Sequence, residues 1–487
     1  MSQGETQVQA LRRIARRAML DRGLAPDFSG AAQQQAKGLD RPADDASVRD
    51  LRALPWCSVD NDDSRDLDQL SVCEELPAGA VQILVAVADV DALVPRGSAL
   101  DAHAAQNTTS VYTAAQIFPM LPEKLSTGLT SLNPDADRLA LVIGFVVARD
   151  GATSGGAISR ARVRNRAKLA YDAVAAWLDG KAAMPEAVGR APGMERQLRV
   201  QDEVSQRLRA RRLEGGALQL QSIEPRAVVE GESVVGLREQ EQNRARQLIE
   251  ELMVAANGIS AVFLEGRKLP SLRRVVRSPE RWAKIVAVAA SYGEALPGTP
   301  DSKALEGFLR KRRAADALRF PDLSLVVVKL MGRGEYVAAG PGEAGPGHFG
   351  LAVQDYSHTT APNRRYPDLV THRQLKSALA GESPAYSTAE LAAVAARCSE
   401  MEANAARVER QVRKSAAALV LRDRVGQTFD AIVTGAADKG TYVRILAPPA
   451  EGRVVRGEAG LSVGDRISVQ LVGTDFERGF IDFARTR

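Results

Sequence analysis

Five carboxylates, Asp60, Asp62, Asp63, Asp66 and Asp68, fall within nine residues directly after the apolar Leu54-Pro55-Trp56 segment. Charges this close repel one another, so a chain that leaves an apolar segment into such a run must keep them in water or hold a cation among them. A calcium loop of the EF-hand type is one arrangement, because Asp60, Asp62, Ser64, Asp66 and Asp68 alternate along the run. It fails on two positions: Arg65 stands where that loop needs its turn glycine, and Ser71 where it needs a bidentate Glu. Two readings remain, a solvated acidic loop and a hard-oxygen site for magnesium that completes its shell with waters and substrate phosphates.

The surrounding pattern predicts an α+β chain in three parts. Residues 1–49 form a small helical segment. Thr6-Gln7-Val8-Gln9 has the form of a capping box, and Val8, Leu11, Ile14, Ala15, Ala18 and Met19 recur at helical spacing. Arg12, Arg13, Arg16 and Arg17 line the other face, either as a solvated surface or as an RNA contact. Residues 50–424 form a large mixed domain. Strands are expected at Ile83–Val90, Leu139–Ala148 and Ala157–Val163, with Arg149-Asp150-Gly151 turning between the last two. Tyr171–Leu178 opens a run of helices, Arg244–Asn257 is a long helix, and a helical stretch from Ser387 to about Arg422 closes the domain. Residues 425–487 change character to five short strands broken by Gly and Pro, the pattern of an all-β OB-fold barrel. Two basic runs, Arg207 to Arg212 and Arg310 to Arg313, are solvated faces or phosphate tracks.

Several chemistries are excluded. Three scattered cysteines and four histidines offer no zinc spacing and suit a reducing cytoplasm. No phosphate-binding Gly-x-x-x-x-Gly-Lys-Ser/Thr loop is present. No apolar run approaches the roughly 20 residues that span a bilayer, and the N-terminus has no leader pattern. A net charge of +5 permits a polyanionic partner without requiring one.

After the acidic run come Gly97-Ser98-Ala99-Leu100-Asp101, Thr109-Ser110-Val111-Tyr112, Phe118-Pro119-Met120-Leu121-Pro122-Glu123-Lys124-Leu125-Ser126 and Ser131-Leu132-Asn133-Pro134-Asp135-Ala136-Asp137-Arg138. Much later comes Tyr356-Ser357-His358-Thr359-Thr360-Ala361-Pro362-Asn363-Arg364-Arg365-Tyr366-Pro367-Asp368. In this order the segments resemble the catalytic domain of the RNase II/RNase R (RNB) family of exoribonucleases. Gly426–Val433, Lys439–Val443 and Val463–Val469 resemble the S-one RNA-binding domain. The resemblance implies magnesium- or manganese-dependent 3′-to-5′ hydrolysis of single-stranded RNA to nucleoside 5′-monophosphates, by a cytoplasmic monomer without membrane attachment.

Residue by residue, the resemblance implies a metal site of Asp60, Asp66, Asp68 and Gln69, the last standing where the family has a fourth aspartate. Asp68 and Arg364 are the implied catalytic pair. Tyr112 and Glu409 are the implied RNA contacts near the 3′ end, with Phe429 and Tyr442 as stacking platforms on the barrel. His358 and His372 read as core histidines. About fifty residues precede the acidic run, too few for the cold-shock barrels that family members carry, and the N-terminal helix is expected at the channel mouth. The alternative, raised by Gln69, is an RNA-binding protein of the same fold with weak or no catalysis.

Overall fold

The computed structural model describes residues 5–221, 225–239, 242–343, 345–437 and 440–486. Its centre is a seven-stranded sheet in the order Arg49–Asp50, Thr153–Arg164, Asp137–Val147, Val81–Ala88, Gln69–Glu75, Cys57–Asp60 and Ala167–Ala170. Val81–Ala88 is central because nearly every side chain in it is apolar, and a strand covered on both faces has no solvated side to populate with polar residues. Its antiparallel neighbours pair with it along its full length, Glu75 opposite Val81 on one side and Val147 opposite Val81 on the other.

Two cores cover the two faces. On one, Val85, Val87, Ile143 and Leu169 pack with Leu198, Leu248 and Leu252 of the helices Met194–Glu214 and Arg244–Gly266. On the other, Trp56, Leu67, Leu70 and Ala86 pack with Leu369 and Val370 of the helix Tyr366–Ala380. Arg244–Gly266 is long and apolar enough by composition to cross a membrane, yet half of its most apolar window is buried inside the molecule. Ile259 lies so close to Gly156 that a Cβ there would come within 3.0 Å of it.

The helix Thr388–Leu421 joins the parts. Ser387 and Glu390 form a capping box at its start, and 34 residues give it a length of about 50 Å. Leu391 and Ala395 enter the sheet core, Met401 to Ala416 pack on the N-terminal helix Gln7–Leu20, and Ala417, Ala418 and Leu421 enter the barrel core. The barrel closes in the order Thr428–Ala437, Gly440–Ile445, Ala450–Arg456, Phe480–Arg485, Arg466–Asp475. Arg444 on its wall is ion-paired at 3.0 Å with Asp322 of the helix Phe320–Met331.

The expected basic surfaces are largely engaged within the chain. Arg13 pairs with Glu5 and Glu477, Arg16 with Asp27, Arg17 with Asp21, and Arg12 donates to the Ala115 carbonyl. Helix Gln7–Leu20 thus lies on the long helix and on a hairpin, Pro225–Glu230 with Ser233–Glu239, that the sequence pattern did not predict. Arg207, Arg209, Arg211 and Arg212 bind Gly79, Gln247, Asp150 and Glu251, and Arg312 lies over the Tyr292 ring.

All four histidines are held below their ordinary pKa by burial. His372 Nε2 donates to the Thr359 carbonyl at 2.7 Å and His358 Nδ1 meets the Tyr336 hydroxyl at 2.8 Å, so both are core groups. The unfolded chain takes up protons near pH 6.5 that the folded chain refuses, so stability is lost as pH falls below that value. His348 is lowered to about 4. Between pH 7 and pH 5 it is expected to cost about 1–2 kcal/mol, the lower figure allowing for its partial exposure. Urea unfolding of His348→Gln at both pH values should show a correspondingly smaller acid loss than the parent chain; an equal loss would refute the assignment.

Candidate active site

The acidic run links two sheet strands, leaving Cys57–Asp60 and entering Gln69–Glu75. A loop of this charge is held by its neighbours. Leu67 is buried in the sheet core, its N–H donates to Ser131 Oγ at 2.9 Å, and its carbonyl accepts from the Leu132 N–H at 2.9 Å. The Ser131 hydroxyl in turn donates to the Arg65 carbonyl at 2.8 Å. Asn165 Nδ2 bridges Ser58 Oγ and the Leu132 carbonyl, each at 3.0 Å. On the far side Arg246 donates to Asn61 Oδ1 at 2.8 Å and Lys168 to the Asp62 carbonyl at 3.1 Å.

With Leu67 anchored, Asp68 is carried inside and is 3% exposed. The Asn363 N–H donates to its Oδ1 at 2.9 Å, and Arg364 Nε stands 3.3 Å from its Oδ2. Burial pushes the Asp68 carboxyl up to about 7, with Arg364 opposing and Asp66 adding to the shift. Asp60 is also raised, chiefly by burial.

The segment bearing Arg364 is shaped by a buried carboxylate. Asp368 Oδ1 accepts from the Ala361 N–H at 2.8 Å and from the Arg365 guanidinium at 2.7 Å. The Arg364 carbonyl then accepts from the Ser110 N–H at 3.0 Å, which brings in the short strand Val111–Tyr112. The Tyr112 hydroxyl donates to Asp66 Oδ2 at 3.0 Å, and its N–H donates to Glu409 Oε1 on the long helix at 2.9 Å.

Asp66, Asp68, Tyr112, Arg364 and Glu409 therefore meet in one network drawn from four distant segments, with Asp60 coupled to it electrostatically. Arg364 and Tyr112 face the open side, 43% and 42% exposed. Gln69 opens its strand opposite Val87, and among the described residues no hydrogen bond joins its amide to the network. Phe429 is half-buried against the barrel core and so belongs to its packing. Tyr442 points outward between the buried Thr441 and Val443, with Lys414 Nζ 6.0 Å from its ring centre.

Sequence reasoning missed Ser131, Asn363 and Asp368 as positioning groups, although all three lie inside the motifs quoted above. It also missed Tyr171, a ring beside Asp60 with the Arg246 guanidinium 4.5 Å above it. Only the aromatic at the start of the helix Tyr171–Leu178 hinted at it.

Among the described residues no group of three or more His, Cys, Asp or Glu side chains closes to metal-binding geometry. The donor set nevertheless fits magnesium, which binds through one or two carboxylates and keeps waters or phosphates for the rest. Asp68 Oδ2 is a buried oxygen with no hydrogen-bond partner, as an atom that meets a cation would be.

Comparison with known proteins gives two family matches, an RNB domain over residues 48–381 and an RNase II-type exonuclease C-terminal S1 domain over residues 427–486. Ribonuclease R of Escherichia coli is 32% identical, over 93% of this chain and 60% of its own length. The chain thus spans about 60% of that curated relative. In fold it is similar to Mycoplasma genitalium RNase R in complex with ribose-methylated single-stranded RNA, with a TM-score of 0.87 at 23% identity over 98% of this chain and 78% of the other. It is also similar to yeast Ssd1, described as a pseudonuclease, with a TM-score of 0.71 at 16% identity over 91% and 55%.

Proposed function

Because the chain belongs to the RNB family, we propose that it is a magnesium-dependent 3′-to-5′ exoribonuclease that removes nucleoside 5′-monophosphates from single-stranded RNA down to a short end product. The observation that carries this reading is the Asp68 carboxylate, buried and held between the Asn363 N–H and the Arg364 guanidinium, where the acidic run meets the second motif.

Arg364 uses Nε toward Asp68, which leaves its two terminal nitrogens for phosphoryl oxygens on the exposed side. Its guanidinium offers a fixed positive charge where negative charge grows in an in-line displacement. Asp60, Asp66 and Asp68 would hold the divalent cation, which when bound activates water and neutralises the phosphoryl oxygens. Tyr112 keeps its phenol proton because burial and Asp66 raise its pKa, so it donates to Asp66 and offers its ring to a terminal base. Glu409 fixes the strand that carries that ring.

A second reading, RNA binding without turnover, is favoured by one observation: Gln69 is neutral and stands outside the network. The two are separated by incubating 5′-labelled single-stranded RNA with magnesium or with EDTA. Stepwise shortening from the 3′ end, stopped by EDTA, supports the nuclease; RNA bound and never shortened supports the second reading.

On the barrel, Tyr442→Ala is expected to weaken RNA affinity by about 1–3 kcal/mol, the usual worth of one stacked base. Lys414→Ala is expected to lower the salt dependence by about one counterion. Both are read by filter binding in EDTA, and parent-like affinity for Tyr442→Ala would remove the barrel platform.

A further inference from the structure

Asn363 lies between the groups assigned to catalysis and is 1% exposed. Its side-chain amide touches Thr130 Oγ1 at 2.6 Å, and the same hydroxyl lies 2.8 Å from the Leu125 carbonyl. With the amide oxygen turned to Thr130, one hydroxyl proton faces two acceptors and Asn363 Nδ2 is buried without a partner. The opposite orientation makes more bonds. Nδ2 then donates one N–H to Thr130 Oγ1 and the hydroxyl donates to the Leu125 carbonyl, so the unpartnered N–H groups of the amide fall from two to one.

That orientation leaves the amide oxygen as the atom without a partner. The backbone N–H of the same residue holds Asp68, whose Oδ2 is also buried without a hydrogen bond. An unpartnered amide oxygen, on the residue whose N–H binds a carboxylate with only the Arg364 guanidinium, 3.3 Å away, at its Oδ2, is an environment that a hard cation satisfies and a neutral apolar core does not.

We infer that Asn363 supplies a neutral amide oxygen to the divalent-cation site beside Asp68, with Thr130 fixing its orientation. This inference rests on the proposed metal-dependent reading, and it gives the site an oxygen donor from the second motif where Gln69 brings no charge.

The test is calorimetric titration of Mn²⁺, without RNA, into the parent chain, Asn363→Leu, Asn363→Asp and Thr130→Val, alongside melting of each metal-free protein. Asn363→Leu is expected to weaken Mn²⁺ binding by about tenfold while leaving the metal-free melting temperature equal or higher, since it removes a buried unpartnered polar atom. Asn363→Asp should bind more tightly, because it places a charge at the cation. Thr130→Val should weaken binding, with no further loss when combined with Asn363→Leu. Parent-like affinity in Asn363→Leu, or weaker binding in Asn363→Asp, overturns the inference alone. A parent chain that binds no Mn²⁺ overturns it together with the metal-dependent reading.

Discussion

Asp68→Asn is expected to leave the fold intact and to lower RNA turnover by on the order of 10²–10³-fold. The two halves of this expectation have one cause. Asp68 is buried with its pKa raised from 3.8 to about 7, so the charged form is disfavoured in the folded chain. A carboxyl whose folded pKa is raised contributes stability that is fully present below about 3.8 and is lost as pH rises from there through about 7. An amide of the same shape removes that penalty and still accepts from the Asn363 N–H. It cannot offer an anionic oxygen to a cation, nor fix the Arg364 guanidinium by charge. At pH 7.5 the variant should therefore melt at or above the parent temperature while single-turnover cleavage collapses. Parent-like cleavage would sink the Asp68-centred site. The companion change Gln69→Asp tests whether one further charge raises the rate.

The largest stability effect is expected at Asp368, which is fully buried and bridges the Ala361 N–H and the Arg365 guanidinium through one oxygen. Removing one partner of a buried pair leaves the other charge uncompensated, at a cost of about 3–5 kcal/mol. Asp368→Ala should show this in urea unfolding, with a smaller loss for Asp368→Asn, which keeps an acceptor for the Ala361 N–H. Because the bridged segment carries Asn363 and Arg364, cleavage should fall in the variant even under conditions where it remains folded. A stability change within about 0.5 kcal/mol, the range of ordinary surface substitutions, would contradict the bridging role.

Where an element depends on near neighbours, the sequence pattern predicts it well. The Thr6 capping box starts its helix where expected, and the helix expected from Ser387 to Arg422 runs from Thr388 to Leu421. The five short strands expected within residues 425–487 are found between Thr428 and Arg485 and close as a barrel. The hairpin Pro225–Glu239 escaped notice because its stability comes from Val229 and Val234 packing on distant helices rather than from its own alternation. The basic runs could be read either as solvated or as phosphate tracks, and the acids and carbonyls that engage them lie far away in the chain.

The sequence by itself determined the periodic elements, the helix caps, the acidic run and the motifs that carry the family resemblance, because each is written in residues a few positions apart. Tertiary structure alone decided which carboxylate goes inside. All five aspartates of the run look alike in sequence, yet Asp68 is fixed by an N–H 295 residues away and Asp66 by a phenol 46 residues away. A pKa and an open oxygen are properties of the space around a group. That space is closed only when distant segments are packed, so no reading of neighbours along the chain contains it.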